Sequence, residues 1–202
     1  GKTTTTYLLK AILEQARGVK VGLIGTNQNM IGSDVIPTER TTPESFEVQK
    51  LFREMADAGC THVVMETSSH ALYLDRVYGV RYDVGIFTNL TQDHLDFHKT
   101  MENYCDAKAI LFRNCVTGVV NADDPWTPRL LKDADCKVMT YAEQADADLR
   151  AENIVLSAGG IAFDAVSGAE RVPIRVNIPG GFMVYNTLDV LGAALALGIS
   201  LE

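Results

Sequence analysis

The chain has 202 residues, 47% of them hydrophobic, and a formal net charge of −8. That length suits one domain with a full core, and the acidity argues against nucleic acid or an anionic membrane surface as partner. No apolar run is long enough to span a bilayer and no signal peptide is visible. Cys60, Cys105, Cys115 and Cys136 have no C-x-x-C spacing and read as reduced core or surface thiols of a cytoplasmic protein.

Gly1-Lys2-Thr3 has the form of the back half of a phosphate-binding loop, G-x-x-x-x-G-K-[ST]. The front half would lie before residue 1, which points to a piece of a longer protein. In such a loop the backbone N–H groups and a helix N-terminus face the phosphates, Lys2 reaches them, and the Thr3 hydroxyl meets Mg²⁺. The alternative is an incidental Gly-Lys-Thr at a frayed end.

Leu8, Leu9, Ile12 and Leu13 predict a helix over 5–16, followed by a strand over 19–24. Residues 25–42 read as one long polar loop. A helix is expected from Pro43 to Ala58 with Thr42 as its N-cap, ended by Gly59. Strands follow over 61–65 and 84–88, with a short helical stretch at 69–75 between them. A helix over 101–113 and strands over 116–121 and 137–141 continue the alternation. The fold class is α/β, a mostly parallel sheet flanked by helices on both faces. From about 150 to 177 the texture changes to short alternating segments, 153–156, 160–165 and 171–177. These read as a small antiparallel β-subdomain. An Ala- and Leu-rich helix over 184–197 ends the chain.

In such sheets ligands gather at the carboxyl ends of strands. Polar clusters fall there. Glu66-Thr67-Ser68-Ser69-His70 places Glu66 to hold Mg²⁺ directly or through water; the alternative is a strand-end carboxylate in a surface ion pair. Ser68 is either a substrate contact or a helix N-cap. Asp93-His94-Leu95-Asp96-Phe97-His98 offers His94 as a metal ligand or as a structural histidine, while Asp93, Asp96 and His98 order the turn. Asp123 and Asp124 either hold water around a nucleotide or make Asx-turns before Pro125. Arg40-Thr41-Thr42-Pro43 reads as an anion site at a helix start, or as a cap without a ligand.

These stretches occur in order with Tyr104-x-x-Ala107-Lys108 and Pro179-Gly-x-Phe182-x-Val-x-Asn186. Together they resemble the central ATPase domain of the Mur ligase family over essentially the whole chain. The Thr41-Thr42-Pro43-Glu44-Ser45 stretch and Ser68-Ser69-His70 are most similar to the tripeptide-forming members. The resemblance implies a P-loop NTPase-like domain of a longer ligase, with N-terminal UDP-binding and C-terminal domains outside this sequence. It implies an ATP-dependent amide ligase that adds L-lysine or meso-diaminopimelate to UDP-MurNAc-L-Ala-D-Glu in peptidoglycan synthesis. The substrate carboxylate attacks the γ-phosphate, ADP leaves, and the amine displaces phosphate from the acyl phosphate.

By the same resemblance, Gly1, Lys2, Thr3 and Asn186 bind ATP, with Asn186 at the adenine. Thr3, Glu66, His94 and Lys108 serve two Mg²⁺ ions, Lys108 as a carbamylated lysine. Lys2, His94 and Lys108 carry the catalysis, and Thr41, Thr42, Ser68 and Arg76 contact the substrate. Arg76 would pair with a carboxylate or the carboxylated lysine; a surface ion pair with Asp75 or Asp83 is its alternative. Two departures stand out: Met183 occupies a position that is usually Asn in the family, and Gly181 one that is commonly basic. They put adenine recognition in question. The isolated chain is expected to be inactive and to bind ATP weakly. Another Mur-like amide ligase and a noncatalytic nucleotide-binding module are the alternatives. Nothing in the sequence sets an oligomeric state.

Overall fold

The computed structural model describes residues 1–93 and 95–201. They form two compact units. The first holds residues 2–81 and 95–111; the second holds residue 1, residues 82–93 and residues 112–201.

The first unit opens with α1 (Lys2–Arg17), which buries Leu9 and Leu13 and lies against β1 (Val21–Ile24). The segment read as one long loop contains a hairpin, β2 (Asn29–Ile31) and β3 (Asp34–Ile36). Its strands have three residues each, too few to show a period, and Gly32 at φ +61° makes the turn. α2 (Ser45–Asp57) buries Val48, Leu51 and Met55 on one face, and Ile24 joins Leu51 and Met55 in a core cluster. Its N-cap is Glu44 rather than Thr42, with Glu47 Oε2 accepting from the Glu44 backbone N–H at 3.3 Å. Thr42 does not cap because its hydroxyl serves the end of the next strand. Gly59, at φ +84°, ends the helix as expected.

β4 (His62–Met65) lies parallel to β1 and β2 lies antiparallel to it, giving the sheet order β3-β2-β1-β4. α3 (Ser69–Tyr73), α4 (Leu95–His98) and α5 (Met101–Arg113) complete this part of the chain. α4 has four residues, below what periodicity can register.

The second unit carries a six-stranded sheet. β5 (Tyr82–Phe87), β6 (Cys115–Asn121) and β7 (Lys137–Ala142) pair in parallel. β8 (Leu149–Ser157) joins β7 in parallel, then β9 (Gly160–Ser167) and β10 (Glu170–Val176) follow antiparallel. The expected antiparallel strands are therefore present, and they extend the parallel sheet. β1 and β4, expected in the parallel sheet, instead form a separate mixed sheet with β2 and β3. The short α6 (Thr127–Leu130) lies between β6 and β7 in sequence.

α7 (Phe182–Ala196) packs across β6 and β7. It is apolar on nearly every side, as a helix buried by its sheet must be. A Cβ at Gly192 would come within 2.8 Å of Val119, so glycine permits that close approach. The four cysteines are thiols, none in a disulfide. Burial and the neighbouring Cys136 push the Cys115 thiol up to about 12, which leaves it protonated. Among the described residues no helix is long and apolar enough to cross a membrane.

Candidate functional site

In the first unit, β1 and β4 run side by side and deliver their carboxyl ends together, with Ile24 opposite Met65. The next residues are Gly25-Thr26 and Glu66. Glu66 is only 2% exposed. A carboxylate buried that far is stable only when its lone pairs are filled. Oε1 accepts the Thr26 backbone N–H at 3.0 Å, and Oε2 accepts the hydroxyls of Thr26 at 2.9 Å and Thr3 at 3.1 Å. A side chain at Gly25 would put its Cβ 2.7 Å from Oε1, so any larger residue there would displace the carboxylate. The surface ion pair weighed for Glu66 is not what forms.

Thr3 comes from the first turn of α1, beside the exposed Lys2. The Glu66 carboxylate and Thr3 hydroxyl give the hard oxygen donors that Mg²⁺ prefers. A hydroxyl that donates to the carboxylate can rotate and offer a lone pair to a cation instead. Among the described residues no group of three or more His, Cys, Asp and Glu forms a metal cage. Mg²⁺ sites completed by phosphate and water need none. His94, expected at the second Mg²⁺, lies outside the described residues.

Thr42 is 1% exposed. Its hydroxyl donates to the Glu66 carbonyl at 2.7 Å and accepts the Ser68 N–H at 3.0 Å. Thr41 Oγ1 lies 3.0 Å from Thr26 Oγ1. The Thr26 proton is already on Glu66, so Thr41 is the donor of that pair. Both protons of the Thr41-Thr42 pair are thus committed within the protein, and only lone pairs are left to present. The two hydroxyls therefore do not serve an anion, and the anion reading of this segment rests on the N–H groups at the start of α2. Arg40 adds nothing to it, since its guanidinium pairs with Glu44. Ser68 caps α3 by accepting the Ala71 N–H at 3.1 Å.

Arg76 pairs with Glu44 at 3.0 Å and not with Asp75 or Asp83, and it also reaches the Thr42 carbonyl at 3.4 Å. His98 is 4% exposed; its Nε2 lies 2.9 Å from Ser69 Oγ and its ring stacks on Tyr104 at 5.0 Å. These contacts tie the end of α4 to the start of α3 and to α5. One helical turn on, Lys108 Nζ stands 4.9 Å from the Tyr104 ring centroid.

In the second unit, Asn186 is buried in α7. Its Oδ1 accepts from the Gly1 nitrogen at 2.6 Å and its Nδ2 lies 3.7 Å from Met183 Sδ. Met183 is fully buried. Gly181 is the N-cap residue of that helix, and its missing side chain leaves ordinary space beside Leu156.

Asp123 accepts the backbone N–H groups of Glu143 at 2.7 Å, Gln144 at 3.1 Å and Ala145 at 2.7 Å, and the Tyr185 hydroxyl at 3.0 Å. Burial alone would raise its pKa, but these donors outweigh it and hold the carboxyl below the usual range. Burial and the Asp123 charge raise Glu143. Burial, with the bond to Asp123, raises Tyr185. Asp124 accepts the N–H groups of Leu90 and Trp126, both at 2.9 Å. The Asx-turn reading accounts for Asp124, and Asp123 too is occupied by the backbone.

The Mur ligase middle domain matches residues 1–194. This chain belongs to the Mur ligase family. It is 52% identical over 202 residues to a UDP-N-acetylmuramoyl-L-alanyl-D-glutamate–2,6-diaminopimelate ligase of Clostridium botulinum, covering 100% of this chain and 42% of the relative. A relative with the same name from Clostridium tetani is 50% identical, with 100% and 41% covered. A solved ligase of that name superposes with a TM-score of 0.92 at 29% identity, covering 100% of this chain and 42% of the other. The MurF ligase of Thermotoga maritima, solved in complex with ADP, shares the fold at a TM-score of 0.74 and 17% identity, with 100% and 44% covered. The chain therefore spans about two fifths of the length of the curated relatives it matches.

Set in the Mur ligase frame, the sequence reading missed Thr26 and Glu44. Thr26 follows β1 as Glu66 follows β4, so the strand-end rule applied to β1 would have found it. Glu44 had no such signal, because its partner Arg76 lies 32 residues on.

Proposed function

We propose that this chain is the central ATP-using domain of a longer, cytoplasmic ligase that joins a third amino acid to UDP-MurNAc-L-Ala-D-Glu. The N-terminal UDP-binding and C-terminal domains belong to the rest of that protein. The observation that carries the reading is the buried Glu66 held by Thr3 and Thr26, in a chain 52% identical to a ligase of that name. The relatives' names favour 2,6-diaminopimelate over L-lysine.

In this reading Lys2 contacts the phosphates of ATP, and Gly1 and Asn186 belong to the nucleotide site. Thr3 and Glu66 hold one Mg²⁺; His94 and a carbamylated Lys108 serve a second. Bound Mg²⁺ supplies the positive charge that offsets repulsion between a triphosphate and an incoming carboxylate. Thr41, Thr42, Ser68 and Arg76 form the substrate side, with Thr42 and Ser68 acting through the backbone they fix. The substrate carboxylate bonds to the γ-phosphorus as the bond to ADP breaks. The amino acid's amine then forms the amide as phosphate leaves.

The test is ADP release by the full-length protein with Mg²⁺ and UDP-MurNAc-L-Ala-D-Glu, adding meso-diaminopimelate or L-lysine separately. Release that needs the UDP-dipeptide and meso-diaminopimelate is expected. Release with neither amino acid would sink the tripeptide-ligase reading.

A further inference from the structure

We propose that Thr26 is a positioning residue that couples a substrate group at Thr41 to the cation site at Glu66. The inference rests on the ligase reading above and adds a residue and a linkage to it. Each threonine hydroxyl has one proton and two lone pairs. Thr26 gives its proton to Glu66 Oε2 at 2.9 Å and takes the proton of Thr41 at 3.0 Å. The line therefore has a direction, Thr41 to Thr26 to Glu66.

Two consequences follow. While Thr26 donates to Glu66, Thr41 accepts from a ligand, which favours an amide N–H or a hydroxyl of the UDP-dipeptide over its carboxylates. A donor arriving there polarises the whole line and strengthens the bond that orients Oε2, the oxygen Thr3 also touches at 3.1 Å. Conversely, a cation drawing on Oε2 alters how strongly Thr26 holds Thr41, since linkage is reciprocal. The Thr26 backbone N–H fixes Oε1 separately at 3.0 Å, so losing the hydroxyl leaves Oε2 to Thr3 alone while Oε1 stays anchored.

The test compares T26V, T26S, T41V and the T26V/T41V double variant in the full-length protein. Mn²⁺ binding is followed by electron paramagnetic resonance with a non-hydrolysable ATP analogue and the UDP-dipeptide present; kcat and KM for the UDP-dipeptide are measured alongside. T26V should weaken Mn²⁺ binding roughly tenfold, the scale of an outer-shell hydrogen bond, and T26S should restore it. T41V should weaken Mn²⁺ binding in the wild-type background and add nothing once Thr26 is valine. Wild-type Mn²⁺ affinity in T26V, or full additivity in the double variant, would overturn the coupling. Should T26V not fold, T41V decides alone, and unchanged Mn²⁺ affinity there overturns it as well. Failure of the ligase reading is distinct: wild-type protein would bind Mn²⁺ and nucleotide yet release no ADP in response to the UDP-dipeptide.

Discussion

Two acids at two strand ends, one in each unit, are held in opposite ways. Glu66 follows β4 and takes two of its three donors from side-chain hydroxyls. Asp123 follows β6 and takes three of its four from backbone N–H groups. A hydroxyl can turn from donor to acceptor when a cation arrives, whereas a backbone N–H cannot. Glu66 is thus equipped to exchange partners and Asp123 is committed to the turn after β7. Position at a strand end nominates a carboxylate for chemistry; the nature of its donors decides whether it is available.

The sharpest break of this contrast is Glu66→Gln. ADP release by the full-length protein should fall on the order of a hundredfold or more, while the thermal midpoint moves little. A large loss of stability with normal turnover per folded molecule would erase the distinction. The mirror substitution, Asp123→Asn, should do the reverse. It turns an amide towards N–H donors and should cost about 2 kcal/mol, or about 4–8 °C in the midpoint at this chain length, with turnover per folded molecule unchanged.

The pH dependence of that second effect sharpens the point. The folded pKa of Asp123 is depressed, so its contribution is present above the unfolded carboxylate value near ~3.9 and is lost as pH falls through the lower folded value. The stability gap between wild type and Asp123→Asn should be flat above about pH 5 and close as the pH drops below about 4. Paired denaturation curves across that range would check it. Tyr185→Phe, which removes one of the four donors, should give the smallest change, about 1 kcal/mol in the same assay.

The same contrast explains what the sequence could reveal. The longer helices were legible from their periodicity, and α5 falls at 101–113 as read. The 29–31 and 34–36 strands and α4 were not, because three or four residues carry no period. Glu66 was legible as an acid after an apolar strand, and so was Asp123. Their difference was not, because it lies in partners such as Thr3 and Tyr185, 63 and 62 positions away. Thr42 looked like a helix cap by its place before Pro43, yet its hydroxyl bonds across to Glu66 and Ser68.

The strap from Thr41 to Glu44 is clamped along its length. Thr42 is tied to the end of β4, and Glu44 is gripped by Arg40 and Arg76 while it caps α2. Freezing one residue's backbone costs roughly 1–2 kcal/mol of conformational entropy. For these residues that cost was met when the chain folded. In the proposed reading, a substrate docking on Thr41 meets a strap already ordered, and its affinity is not diminished by having to order it.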